Sequence, residues 1–282
     1  MTDQELKKKS IHYRKKLLKY IKQARAGHTG GDLSCVDILN VLYNRILDIT
    51  PQNYGDFNRN HYVQSKGHSV EALYVVLADI GFFPESDLNT LSQHGSHYVG
   101  HPVRKVNGIE HNTGSLGHGL SFCTGVALEL KEASGNHKVY TLLGDGELTE
   151  GSNWEAMLTA AHYKLDNLVA IVDCNKLQIT GKTKDVCSID PLEQKFSAFG
   201  WSVEHADGHE IDSLTEVLRN VPFESDKPSV VIAHTIKGKG VSFIENDRKW
   251  HHKVPSDKEF EKAMKELDQA LMNVEKQSTI VK

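Results

Sequence analysis

Cysteine is scarce in this sequence: four residues in 282, Cys35, Cys123, Cys174 and Cys187, with no CxxC pair among them. Thiols that few and that scattered do not build a disulfide framework, so the expected compartment is the reducing cytoplasm. Long apolar runs are missing as well. No stretch approaches the roughly 18 residues that cross a bilayer, and the N-terminal MTDQELKKKS is polar where a secretory signal carries its apolar segment. An excess of positive charge is also lacking, since 33 Lys+Arg against 37 Asp+Glu leave a formal charge of -4. Neither a membrane nor a nucleic acid is therefore expected as a partner. Seven prolines, no internal repeat and no low-complexity linker give no point at which to divide the chain, and residues 1–282 read as a single domain.

What is present is an alternation of helical and strand-like segments. Helices are expected over 10–24 behind a Ser10 cap, over 35–47 behind Ser34, from Val70 to Ile80, after GSLGHGL, over EGSNWEAMLTAAHY and IDSLTEVLRN, and over 256–275. Between them YVQSKGHS reads as a short strand entering a turn, KVYTLLGDG as a buried strand ending in a tight turn, and NLVAIVDCN, GWSVEHADGH and PSVVIAHT as three more strands. Residues 82–113 show little periodicity, carry Gly and His, and are expected to be an irregular, functional loop region. Apolar strands alternating with helices indicate an α/β fold in three layers, a mostly parallel sheet with helices on both faces. Ligands of such sheets sit at the carboxyl ends of the strands. Here those ends read KGHS, GDGE, DCNK, ADGH and AHTIKGKG, all polar and rich in glycine.

The segment GDGELTEGSNWEAMLTAAHYKLDNLVAIVDCNKLQITG, Gly144 to Gly181, is the most informative. It places Asp145 and Asn175 at the ends of two neighbouring parallel strands. With a backbone carbonyl from the turn after Asn175, three hard oxygen donors converge, the set that holds Mg²⁺ or Ca²⁺ when phosphate oxygens complete the shell. A bare Asp-Gly turn and an Asn cap would explain each residue separately. Histidine supplies a second signal. Five of the sixteen follow a glycine directly, His28, His68, His101, His118 and His209, so that backbone can approach a ligand while imidazole moves a proton.

GDG, Glu150, a helix, an apolar strand and a terminal Asn resemble the thiamine diphosphate signature. ARAGHTGGDLS, SKGHSVEALY, GHPVRKVNGIEHNTGSLGHGL, GDGELTEG, DCNKLQITG, AHTIKGKG and WHHKVP, in that order, resemble the transketolase family over about residues 10 to 260. The resemblance implies the thiamine diphosphate-binding fold, with thiamine diphosphate and Mg²⁺ (or Ca²⁺) as cofactors. By it, Asp145 and Asn175 bind the metal through side-chain oxygens and Leu177 through its carbonyl. Gly144, Gly146, Gly114, His68 and Leu116 lie along the cofactor. His28, His101 and His251 face the sugar as the catalytic set. Glu150 belongs to the cofactor-linked carboxylate network at a subunit contact. His118 stands where the family more usually has glutamine, and its role is left open.

Full-length members of the family continue into a pyrimidine-binding domain and a third domain, whereas after PSVVIAHTIKGKG only one loop and one helix are expected here. The resemblance therefore implies a complete N-terminal subunit with an incomplete active site. It would join a C-terminal transketolase subunit carrying the pyrimidine-binding domain in an α2β2 assembly, and would act on sugars or sugar phosphates. Three rivals stand beside it. A zinc-dependent hydrolase would use His94, His97 and His101, or His205, Asp207 and His209. A component of another thiamine diphosphate enzyme, a synthase or a dehydrogenase E1 protein, is the second, and a regulatory remnant of the fold is the third.

Overall fold

Five strands form one sheet in the order β1-β2-β3-β5-β4, every neighbouring pair parallel. They are β1 (His61–Gln64), β2 (Val139–Gly144), β3 (Leu168–Cys174), β4 (Ser202–Asp207) and β5 (Ser229–His234). The computed structural model describes residues 1–133 and 136–280. Helices α1 (Asp3–Ala24), α2 (Thr29–Val41), α3 (Val70–Asp79), α4 (Gly119–Glu132), α5 (Gly151–His162), α6 (Thr183–Val186), α7 (Leu192–Ala198), α8 (Ile211–Arg219) and α9 (Asp257–Ile280) surround it.

The period-two geometry of the strands divides the interior into two cores. Along β3, Val169 and Ile171 face one side while Leu168, Ala170 and Val172 face the other; along β5, Val231 and Ala233 oppose Val230 and Ile232. The first core takes α1, α2, α3 and α8, with Ala263 and Leu267 of α9. The second takes α4, α5 and α7. The expected three-layer α/β architecture is what the chain forms. One strand departs from the expectation of apolar runs throughout. In β4 only Ser202 and Ala206 are buried, because it is the sheet edge and its outer row meets solvent.

Two helix starts also differ from the sequence-based expectation. Helix α1 begins seven residues before Ser10, at a capping box in which Thr2 Oγ1 accepts from Glu5 N at 3.2 Å and Thr2 N donates to Glu5 Oε2 at 2.7 Å. Ser10 is buried within the helix and accepts from Asn40 Nδ2 at 2.8 Å. Helix α2 starts at Thr29 rather than at Cys35, and all of its residues are buried. Gly30 and Gly31 cost roughly 1 kcal/mol each as helix residues. Full burial of Leu33, Ile38 and Leu39 returns about 1.5–3 kcal/mol apiece, so tertiary packing outweighs local propensity. The last turn, Leu42–Ile46, widens into a π-helix.

Candidate active site at the carboxyl edge of the sheet

The loops leaving β1 and β2 diverge, the first to α3 in one core and the second to α5 in the other. Such a reversal opens a crevice at the carboxyl edge of the sheet. A cavity of about 500 Å³ occupies it. Twelve residues singled out from the sequence line this one cavity: His28, His68, His101 and His251, Gly114, Leu116, Gly144, Gly146 and Glu150, and Asp145, Asn175 and Leu177.

The oxygen donors come from neighbouring strands in register. Gly144 is paired with Asp173, and Asp145 N donates to Asp173 O at 3.3 Å, which sets the Asp145 turn against the Asn175 turn. Asp145 is 3% exposed, and its carboxylate accepts from Gly146 N at 2.7 Å and Lys176 N at 2.5 Å. Among the described residues no cationic side chain forms an ion pair with it. Burial and the neighbouring Asp173 charge push this carboxyl up to about 7. Asn175 Oδ1 accepts from Leu177 N at 3.1 Å, and Leu177 O accepts from the Lys237 ammonium at 3.3 Å. A carboxylate, an amide oxygen and a carbonyl are all hard donors, the carboxylate lacks a countercharge, and an ammonium already stands at the carbonyl. This set fits a hard divalent cation.

Backbone shape completes the floor. Gly114 has φ +151, and a Cβ there would sit 3.2 Å from the His101 ring. A Cβ on Gly146 would meet Gln178 Cγ at 2.7 Å. Both positions admit glycine because the chain runs against its neighbours without room for a side chain. Glu147 ties the loops together, accepting from Gly144 N at 3.0 Å, Gly117 N at 2.9 Å and Ser65 Oγ at 2.5 Å.

Above the floor stands a cluster of imidazoles. The His28 ring lies 5.5 Å from those of His68 and His251, 5.7 Å from His101 and 4.4 Å from His252. Burial, then the neighbouring His252 and His101, lower His28 to about 3; burial and Lys237 lower His251 to about 3. His68 is held well below its ordinary value by burial and Lys66, and His101 is lowered by burial and His252. These rings are neutral at neutral pH. Lys237, itself lowered to about 8 by burial and Lys66, donates to His251 Nδ1 at 2.9 Å. With Nδ1 accepting, the neutral His251 ring carries its hydrogen on Nε2.

Beneath both layers lies a fully buried ion pair between Lys66 and Asp173, joined by Ser34 and Thr235. Lys66, Lys237, Gln178, His252, Glu147 and Asp173 carry no signal of their own in the sequence. Lys66 and Lys237 sit inside the SKGH and TIKGKG segments, yet a lysine beside glycine reads as a solvated side chain unless its burial is known.

Other candidates fall elsewhere. His118 is exposed ahead of α4 and does not line the cavity. His209 serves the fold, its Nδ1 bonded to Asp37 Oδ2 at 2.9 Å and its Nε2 accepting from Ile236 N at 2.7 Å. Among the described residues neither ligand set of the zinc reading, His94, His97 and His101 or His205, Asp207 and His209, converges. Among the described residues the metal-ligating side chains drawn within 4.8 Å of one another are His28, His251 and His252.

Comparison with known proteins decides the family. The family model "Transketolase, thiamine diphosphate binding domain" matches residues 7–275. The chain belongs to the transketolase family. It is 43% identical over 278 residues, 99% of either chain, to one subunit of the apulose-4-phosphate transketolase of Phocaeicola vulgatus. It is 40% identical over 256 residues, 90% of this chain and 93% of the other, to the 6-deoxy-6-sulfo-D-fructose transketolase subunit SqwG of a Clostridium species. Among solved structures, transketolase of Campylobacter jejuni superimposes with a TM-score of 0.88 at 29% identity. That match covers 97% of this chain and 46% of the longer one, so the chain spans about half of that transketolase.

Proposed function

We propose that this chain, as one domain over residues 1–282, is the thiamine diphosphate-binding N-terminal subunit of a two-chain transketolase. It would move a two-carbon ketol unit from a ketose to an aldose together with a C-terminal subunit carrying the pyrimidine-binding domain, in a cytoplasmic α2β2 assembly. The observation that carries this reading is the meeting, in one cavity, of a hard-oxygen metal set, a glycine-lined floor and a cluster of neutral imidazoles. That both relatives of similar length are named as subunits supports the partner. Their names also favour a phosphorylated or sulfonated sugar from a specialised pathway over an unadorned one. Among the described residues no helix is long and apolar enough to cross a membrane.

In this assignment Asp145, Asn175 and the Leu177 carbonyl hold Mg²⁺ (or Ca²⁺), and the metal with His68 and the Gly144–Gly146 backbone holds the diphosphate. Gly114 and Leu116 support the pyrimidine end. When bound, thiamine diphosphate would supply the carbon nucleophile and electron sink that ketol transfer requires. The chain's own part is to orient the sugar and move protons. His251 Nε2–H and the neutral His28 and His101 rings can hydrogen-bond sugar hydroxyls and donate to an alkoxide as charge develops. Lys237 behind His251 keeps that tautomer in place and is the nearest ammonium from which the ring can be re-protonated. Glu150, exposed ahead of α5, would in this assignment reach a neighbouring protomer.

The test is reconstitution. The chain expressed alone should show no ketol transfer, and transfer should appear on adding the candidate partner, thiamine diphosphate and Mg²⁺. Full turnover by the isolated chain would end the two-chain proposal. No turnover from any cofactor-loaded mixture, across ketose donors, would end the transketolase assignment.

A further inference from the structure

A second pair of carboxyl groups lies beneath the histidines, and the cofactor assignment makes no use of it. Asp32, four residues after His28 in α2, is 0% exposed; Glu71, three residues after His68 in α3, is 2% exposed. Helices α2 and α3 pack against each other, and the two carboxyl groups act on one another at that contact. Asp32 Oδ1 accepts from Ala72 N at 2.9 Å and so satisfies an amide at the start of α3. The other three oxygens, Asp32 Oδ2 and both of Glu71, have no protein donor. The nearest ammonium, Lys66, is committed to Asp173. Around them the helices touch closely, and a Cβ on Gly31 would sit 3.2 Å from Ser69 Oγ and 3.4 Å from the His68 ring.

Two ionised carboxylates cannot share such a place. Each loses its hydration, and the charge of Asp32 adds to the cost of ionising Glu71. One proton resolves both difficulties, because a carboxylic acid on Glu71 can donate to the oxygen of Asp32 that lacks a partner. We propose that Asp32 and Glu71 share a single proton, and that this acid–carboxylate bond positions His28 and His68 by fastening the start of α2 to the start of α3. Burial pushes Asp32 up to about 7 and Glu71 well above its ordinary value, in the direction this requires. The pair reaches no cofactor or substrate atom. It acts through the two loops it joins, whose rings stand 5.5 Å apart.

The proton can be observed without turnover, so the test does not depend on the transketolase assignment; only the positioning role rests on it. The full chain, assembled with its partner protein if it has one, carries carboxyl-13C glutamate and aspartate in this chain alone. Its infrared spectrum at pH 7.5 should contain an isotope-shifted carbonyl band of a protonated carboxylic acid that disappears in Glu71→Gln. A spectrum without any band sensitive to that substitution overturns the shared proton, whatever the activity. Glutamine can still donate to Asp32, so Glu71→Gln should keep the thiamine diphosphate Kd within about two-fold, whereas Glu71→Met, of similar length and unable to donate, should raise it about 10-fold or more. Equal affinity in Glu71→Met and wild type overturns the positioning role. Should Glu71→Met fail to fold, the infrared comparison of wild type with Glu71→Gln still decides.

Discussion

Replacing Asp173 by Asn tests the energetic foundation of the site. Asp173 and Lys66 are 0% and 1% exposed, and their ion pair joins the end of β3 to the loop after β1. Burial alone would lower the Lys66 ammonium, yet the Asp173 charge outweighs it and the net movement is upward; the same pairing holds Asp173 below its ordinary value. An Asn of the same shape can still serve Thr235 and Ser34 but cannot balance the ammonium. Lys66 would then keep only the Gly31 carbonyl, at 3.1 Å. Removing one partner of a buried pair costs about 3–5 kcal/mol, because the other is left charged and dry. Against a total stability on the order of 5–15 kcal/mol that is a large fraction. With a slope of roughly 3 kcal/mol per molar urea, the unfolding midpoint should fall by about 1 M without a change in slope. Urea unfolding followed by circular dichroism at fixed protein concentration measures it. Adding Lys66→Met to Asp173→Asn removes the stranded charge and should recover at least about half of the loss. A single-variant loss under about 1 kcal/mol, or no recovery in the double variant, would refute the claim that charge balance rather than shape holds this floor.

Two further outcomes follow from the cavity. Asp145→Ala should abolish Mg²⁺-dependent binding of thiamine diphosphate by the assembled enzyme, read by titration calorimetry, because it removes the charged member of the oxygen set; unchanged binding would refute the metal assignment. Acid should destabilise the cofactor-free protein through the imidazoles. His28 and His251 are lowered to about 3 in the fold, so between pH 6.5 and about 3 the unfolded chain binds protons that the folded chain refuses. The stability they contribute is present above pH 6.5 and is lost as pH falls through that window. Urea midpoints measured from pH 7 to pH 4.5 should fall more steeply for wild type than for His28→Asn or His251→Asn, and parallel slopes would contradict the neutral-imidazole cluster.

The fold class and the cavity lining were legible in the sequence because their signals are local. A strand of four to seven residues that is buried on both faces reads as a continuous apolar run, and GDG or SKGH marks the turn that follows it. The start of helix α2 was not legible because Gly30 and Gly31 argue locally against a helix, while what fixes them is non-local. A Cβ on Gly30 would lie 3.1 Å from the carbonyl of Trp250, far along the chain. The floor beneath the site was illegible for the same reason. Lys66 and Asp173 are 107 residues apart, Ser34 and Asp173 are 139 apart, and no spacing rule relates them. His252 escaped because the sequence offered a reason for only one of two adjacent histidines.

The same division separates what the site needs from what it exposes. Below the cavity Asp173 is used by Lys66, Ser34 and Thr235, and Glu147 by two amides and Ser65. At the cavity wall the polar groups are left short of partners. His28 Nδ1 and Gln178 Nε2 are buried without a hydrogen bond, and Asp145 lacks a countercharge. A buried polar atom left without a partner at a cavity wall is one that a ligand can complete. Substitutions in the lower layer should therefore register first as lost stability, and those at the wall as lost binding or turnover with the fold intact. The Asp32–Glu71 pair crosses this boundary. Joined by its own proton, it belongs to the floor, yet the loops it fastens end in His28 and His68, so a perturbation there should register in both measurements at once.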